Sequence, residues 1–312
     1  DKQICLVGSE MCIRDRVQRE LMLRLAADLD SIPAAGATRL DDDAPPGRGT
    51  FHGVEVQVAV LGGDASAASQ SVAMQRCAVA TAAADVLPAP PIRVLPTHVA
   101  LSDLPSMPGR AVIGVDDDTL LPVGVPIDGG FLVAGAPGSG VSTTVDTLVR
   151  AIRRCEPSTE FDLLGRRRSA LADRGDWAVA AFGPEDVAAL AQRLRDRIAG
   201  AVAAPITVVV EAIDRLLETP AEIPVHDLLR VTRDHGVFVV ADGETSRLAG
   251  SWPLLQAARA YRCGIALQPE QIEGEALFSV PFPRPERGEY PVGRGLLVQN
   301  GAASTVQVAL PE

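Results

Sequence analysis

The chain has 312 residues and a mass of 32.7 kDa, enough for one large domain or two ordinary ones with a well-buried core. With 47% hydrophobic and 22% charged residues its composition is globular and excludes general disorder, and acids, arginines and prolines interrupt every apolar run that could approach a bilayer's width. A formal net charge of −11 repels phosphate polymers over most of the surface and disfavours a freestanding nucleic-acid binder.

Five cysteines (Cys5, Cys12, Cys77, Cys155 and Cys263) are scattered, without zinc-ligand spacing or a disulfide framework, which fits a reducing cytoplasm. Lys2 is the only lysine; every other basic residue is arginine. Residues 1–16, with CLVGSEMCIRDR at 5–16, read as a translated sequencing adapter or a disordered terminus, and the natural protein is expected to begin upstream.

From Val17 to Leu29 an apolar residue recurs every fourth position, which predicts a helix. A Pro, Gly and Asp-rich loop follows at 41–49, then an alternating strand from Val54 to Val60 and an alanine-rich helix from Ser66 to Val86. Prolines at 88, 90, 91, 96, 105 and 108 mark an extended connector over 88–109. Pro46-Gly47-Arg48-Gly49 followed by Glu55-Val56-Gln57-Val58-Ala59 is echoed by Val292-Gly293-Arg294-Gly295 followed by Thr305-Val306-Gln307-Val308-Ala309. Two ordered elements at similar spacing point to a duplicated module. The expected organisation is the C-terminal remnant of a first module at 17–87, the connector, and a complete module at 110–312.

The complete module alternates strands and helices. Strands are predicted at Phe131–Ala134, Trp177–Ala181, Ile206–Val210, Val237–Ala241 and Gly264–Leu267, with helices over 142–154, 184–198 and 225–233. Short continuous apolar strands separated by helices predict a mostly parallel sheet covered on both faces.

After the first of these strands comes Gly135-Ala136-Pro137-Gly138-Ser139-Gly140-Val141-Ser142-Thr143, a G-x-x-x-x-G-x-S frame between strand and helix, as in a phosphate-binding loop. Its glycines let successive N–H groups turn inward, and the helix N-terminus adds its positive end. Ser142 stands where the hydroxyl ligates Mg²⁺. The lysine of such loops is replaced by Val141, and no lysine downstream can replace it. A hydrogen bond to a charged group contributes about 1.5–3 kcal/mol, so affinity for phosphate falls, and transition-state charge loses a partner. The arginine run Arg166-Arg167-Arg168 reads as a solvated surface loop. A second element, Val208-Val209-Val210-Glu211-Ala212-Ile213-Asp214, places Glu211 at the metal position and Ala212 where the catalytic carboxylate should stand. Asp214 is displaced and equally suited to capping the next helix. No catalytic residue is assigned.

This order of elements resembles the FtsK/SpoIIIE family of hexameric motor ATPases, and within it the tandem modules of EccC-type proteins of type VII secretion. The residues that carry the resemblance are Arg110-Ala111-Val112-Ile113-Gly114-Val115-Asp116 leading into Leu121-Pro122-Val123, the loop at 135–143, the strand running into Glu211, Gly236-Val237-Phe238-Val239-Val240, and Pro291-Val292-Gly293-Arg294-Gly295-Leu296-Leu297-Val298. The resemblance implies a RecA-like P-loop NTPase of α/β class, binding ATP and Mg²⁺ between adjacent modules of the same or neighbouring chains. It implies an oligomeric translocase acting on a secreted protein or on DNA. Such a chain is the cytosolic part of a membrane-associated complex, reaching the membrane only through upstream segments. Asp242-Gly243-Glu244 departs from the family's polar sensor, as Val141 and Ala212 depart from its catalytic groups.

Three readings follow. The first is an impaired module with a regulatory or substrate-recognising role, where Trp252 and Pro281-Phe282-Pro283 line a surface or simply pack. The second is an active DNA translocase. The third is an interaction module that kept only the fold.

Overall fold

The computed structural model describes residues 21–23, 44–45, 47–51, 54–64, 66–83, 94–174, 176–200, 205–284 and 290–311. The chain divides into two units, Asp1–Pro91 and Ile92–Glu312.

In the first unit β1 (Leu21–Leu23), β2 (Arg48–Phe51) and β3 (Val54–Gln57) form an antiparallel sheet in that order. Helix α1 spans Ala67–Ala83. The serine at its start acts as a cap, with Ser66 Oγ accepting the Ser69 N–H at 3.2 Å. The helix expected over Val17–Leu29 is not what the described part shows: Leu21, Met22 and Leu23 pair with Phe51, Thr50 and Gly49. Three consecutive apolar residues suit either period, and the neighbouring strand supplies the backbone partners that decide it. The rest of that predicted helix, the terminal segment 1–16, the end of the second predicted helix at 84–86 and connector residues 88–93 lie outside the described residues.

The second unit is built on a ten-stranded sheet. Its strands are β4 (Arg110–Asp116), β5 (Pro122–Pro126), β6 (Gly130–Gly135), β7 (Glu160–Gly165), β8 (Val179–Phe182), β9 (Ile206–Val210), β10 (Phe238–Gly243), β11 (Gly264–Leu267), β12 (Arg294–Gln299) and β13 (Ala302–Val308). The order is β5-β4-β13-β12-β11-β6-β10-β9-β7-β8. From β11 to β8 all neighbours are parallel, whereas from β11 back to β5 they are antiparallel. The helices are α2 (Val141–Cys155), α3 (Pro184–Ala199), α4 (Glu222–Asp234), and the shorter α5 (Thr245–Leu248), α6 (Pro253–Arg259) and α7 (Glu273–Phe278).

Both faces are covered, as the unbroken apolar strands required. Val208 and Val210 pack with Val187 and Leu190 of α3 and Val225 of α4, while Val209 joins Val145, Leu148 and Ile152 of α2 on the opposite side. β9 is buried along its whole length, and its β-branched run suits a central strand. The architecture is the expected RecA-like α/β one. Among the strands of this sheet that the sequence does not announce are β4, β5, β12 and β7; in β7 Glu160 and Asp162 interrupt the apolar run although Asp162 is fully buried.

Residues 94–109, expected as a free connector, pack on this unit. Leu95, Val99, Leu101 and Leu104 are buried, and the chain bonds to its own last residues, with Leu101 N–H to Leu310 O at 3.0 Å and Leu310 N–H to Val99 O at 2.8 Å. Arg154 donates to the carbonyls of Leu101 and Leu104. The prolines forbid a regular helix here without preventing apolar side chains between them from docking.

The two Gly-Arg-Gly turns are held by the same set of contacts, in hairpins of different length. Arg48 stands opposite Gln57, with Gly47 at φ +83°, Val58 N–H on Gly47 O at 2.8 Å and Arg48 Nε on Gln57 Oε1 at 3.0 Å. Arg294 stands opposite Gln307, with Gly293 at φ +78°, Val308 N–H on Gly293 O at 2.8 Å and Arg294 Nε on Gln307 Oε1 at 3.2 Å.

Candidate phosphate-binding site

The loop between β6 and α2 lies at the carboxyl edge of the parallel strands, where successive crossovers leave to different sides and ligands bind in folds of this kind. Gly138 and Gly140 adopt φ +88° and +104°, values that side-chain-bearing residues rarely take. A Cβ on Gly135 would collide with Ser139 Oγ and come within 2.8 Å of Val141 Cγ2, so the first glycine is required by close packing. Ser139 is completely buried and folds the loop on itself, its hydroxyl donating to Ala136 O at 2.7 Å. Gly293 of the closing hairpin donates its N–H to Ser139 O at 3.0 Å, so the terminal Gly-Arg-Gly turn braces the loop. α2 then starts at Val141; Val145, Leu148, Val149 and Ile152 give it one apolar face. Val141 is half-buried against the core on that side. Ser142 and Thr143 line the mouth of a cavity of about 470 Å³ with the rest of the loop except the buried Ser139.

The opposite wall comes from the neighbouring strand β10 and from the end of β9 beyond it. β10 lies between β6 and β9, pairing Gly243 with Ala134 on one side and Ala241 with Val210 on the other. That register sets Glu211, Asp214 and Asp242 across from the loop. All three are buried, at 2%, 4% and 4% exposure. Asp242 Oδ1 accepts the Ala212 N–H at 2.7 Å. Burial pushes the Asp242 carboxyl up to about 7; the nearby charges of Glu211 and Asp214 add to the rise, while the Ala212 N–H and Arg166 oppose it. Asp214 is also raised, chiefly by burial, and its Oδ1 accepts the Glu244 N–H at 3.3 Å. Ala212 itself is held at φ +52°. No carboxylate occupies that position, as the sequence indicated.

Glu211 does not stand free. The parallel register of β7 and β9, Leu164 opposite Val210, brings Arg166 beside it. Arg166 Nε donates to Glu211 Oε1 at 3.0 Å and the Arg166 N–H donates to Oε2 at 3.2 Å. The arginine run is therefore not simply a solvated loop: Arg167 pairs with exposed Glu185, but Arg166 belongs to the cavity wall. Nothing in the local sequence distinguishes the two; only the β7–β9 pairing does. Phe282 is 4% exposed in the core beside Phe278, whereas Trp252 is 42% exposed.

The cradle suits a polyphosphate, with inward-turning glycines, a helix N-terminus and a cavity of nucleotide-phosphate size. The donor set does not suit Mg²⁺. Both Glu211 oxygens accept from Arg166 and one Asp242 oxygen from Ala212. Among the described residues Asp242 Oδ2 and Asp214 Oδ2 have no hydrogen-bond partner, yet no group of three His, Cys, Asp or Glu is placed to hold a metal ion. Glu211, expected as a metal ligand with Ser142, accepts the Arg166 guanidinium and backbone N–H.

No family model and no curated protein matches the chain. Solved structures do. The cytoplasmic domain of the Thermomonospora curvata type VII secretion ATPase EccC is similar at 21% identity and TM-score 0.65, over 86% of this chain and 35% of that one. ATPases 2 and 3 of the same EccC, in complex with a signal sequence peptide, match at 21% identity and TM-score 0.67, over 96% of this chain and 60% of that one. ATPases 2 and 3 of EssC from Geobacillus thermodenitrificans match at 21% identity and TM-score 0.57, over 89% and 58%. The chain thus spans less than two thirds of the length of each. Among the described residues no helix is long and apolar enough to cross a membrane. In fold, the chain is similar to the P-loop ATPase modules of the EccC and EssC secretion ATPases, which are of FtsK/SpoIIIE type.

Proposed function

We propose that residues 110–312 form a nucleotide-binding module of a protein-secretion translocase, impaired in hydrolysis and acting as a regulatory or substrate-recognising unit. The observation that carries this reading is the joint state of the site: a glycine loop with Gly138 and Gly140 at positive φ lining a cavity, beside Val141, Ala212 and a Glu211 already engaged by Arg166. Ser142, Thr143 and the loop amides would hold the phosphates of ATP. The nucleotide supplies binding energy here, and hydrolysis lacks both the lysine that neutralises the phosphoryl group and a carboxylate to orient water.

The segment 17–87 is, on the same proposal, the tail of a preceding module of the same kind. The matched hairpins at Arg48–Gln57 and Arg294–Gln307 support it. A signal-peptide complex among the similar structures supports a secreted protein as cargo rather than DNA, as does the net charge of −11.

Equilibrium titration with ATP, combined with a phosphate-release assay with and without DNA, tests this function. Binding without turnover is expected. Phosphate release stimulated by DNA would favour an active DNA translocase, and no binding at millimolar ATP would leave an interaction module that kept only the fold.

A further inference from the structure

In a turnover-competent loop two cations face the phosphates, the lysine and the metal. Here the first is Val141, and the carboxylate at the position of the second, Glu211, is engaged by Arg166. Glu211 is 2% exposed and receives Arg166 through both Nε and the backbone N–H, at 3.0 and 3.2 Å. A dication placed at that carboxylate would stand against a guanidinium already in contact with it. Asp242 has Oδ1 on the Ala212 N–H. Among the described residues its Oδ2 and Asp214 Oδ2 have no hydrogen-bond partner, but these acids do not come together as a group of three that could hold a metal ion.

Arg166 has capacity left over. Its side chain is 42% exposed on the cavity wall, and among the described residues its Nη1 and Nη2 have no partner. A guanidinium that holds a carboxylate through Nε keeps its remaining N–H donors in one plane, suited to two oxygens of a phosphate. Arg215, exposed at the rim of the same cavity, adds a second positive charge.

We propose that the cradle takes the phosphate tail of a nucleotide as the metal-free anion, with Arg166 as its resident countercation. This rests on the nucleotide-binding reading above and specifies the form of the ligand. Glu211 thereby serves as a positioning residue: it fixes the guanidinium against the wall so that its free edge points to the loop.

The test is titration of the full 312-residue chain with ATP, once in EDTA and once in excess Mg²⁺. ATP is expected to bind in EDTA at least as tightly as with Mg²⁺, and Arg166→Ala is expected to weaken binding in EDTA about ten- to a hundredfold. Because Arg166→Ala leaves Glu211 buried without its partner, the double variant Arg166→Ala/Glu211→Gln is measured beside it, with thermal melting to establish folding, and it shows the same loss. Binding that appears only with Mg²⁺, or that persists in EDTA in the folded double variant, overturns the proposal. Failure of the unaltered chain to bind ATP in either buffer refutes the nucleotide reading itself, a result distinguishable from the other two.

Discussion

Gly293 donates its backbone N–H to the carbonyl of Ser139 at 3.0 Å, tying the hairpin at the end of the chain to the middle of the phosphate loop. The turn can do this because Gly293 takes φ +78° and because Gly295 passes so close to β11 that a Cβ there would strike the Ala266 carbonyl. Gly293→Ala is expected to destabilise the module by about 1 kcal/mol through its left-handed backbone. Gly295→Ala should cost about 1–3 kcal/mol through overpacking. Urea denaturation reads both, and a Gly295→Ala protein as stable as its parent would contradict the strand spacing described.

Val141→Lys restores the missing loop cation. It should tighten nucleotide binding about tenfold or more and yet give no phosphate release above background, because Ala212 offers no carboxylate. A colourimetric phosphate assay checks this, and steady release by Val141→Lys alone would show that the opposite wall is competent after all.

Asp242 predicts a pH dependence with a definite sign. Its carboxyl is raised by burial to about 7, against 3.8 as the ordinary value. Between those pH values the folded state holds a proton that the unfolded chain has lost, so this group's contribution falls as pH rises, on the order of 1 kcal/mol per pH unit, and levels off above about pH 7. Asp242→Asn removes the slope. Denaturation midpoints at pH 5 and pH 8 should therefore differ less in the variant than in the parent, and equal differences would count against the burial described.

Asp162 is a second buried acid, in the interior of β7; its oxygens make no well-aligned hydrogen bond among the described residues, and the Val179 N–H opposite offers only a weak contact. Arg197 approaches only to 3.9 Å, and burial raises the carboxyl's pKa. Asp162→Leu should stabilise the unit by about 1–3 kcal/mol at pH 8, measured by thermal or chemical denaturation; a loss of stability would mean that the carboxylate has a role that the described contacts omit.

These residues also mark where the sequence was legible. β9 and β11 were found at their observed bounds because strands buried on both faces are written as uninterrupted apolar runs. The tight turn between β6 and α2 is legible because its glycines answer a backbone demand that no other residue meets. β7 was passed over because Asp162 breaks the pattern from inside the core, an expense invisible in a string of letters. Arg166 was read as surface because its significance depends on a residue 45 positions away, brought near only by β7–β9 pairing. The proline-rich stretch hid Leu95, Val99, Leu101 and Leu104, whose burial depends on a partner at the far end of the chain. In Leu21–Leu23 the helical spacing lost to a neighbouring strand.

The pairing of Ala100 with Leu310 has a consequence for how such chains are assembled. The polypeptide comes into its second unit alongside residues that follow β13, 210 positions further along the chain (310 against 100). A bead strung in this way can be copied, swapped or lost without rethreading the sheet of its neighbours.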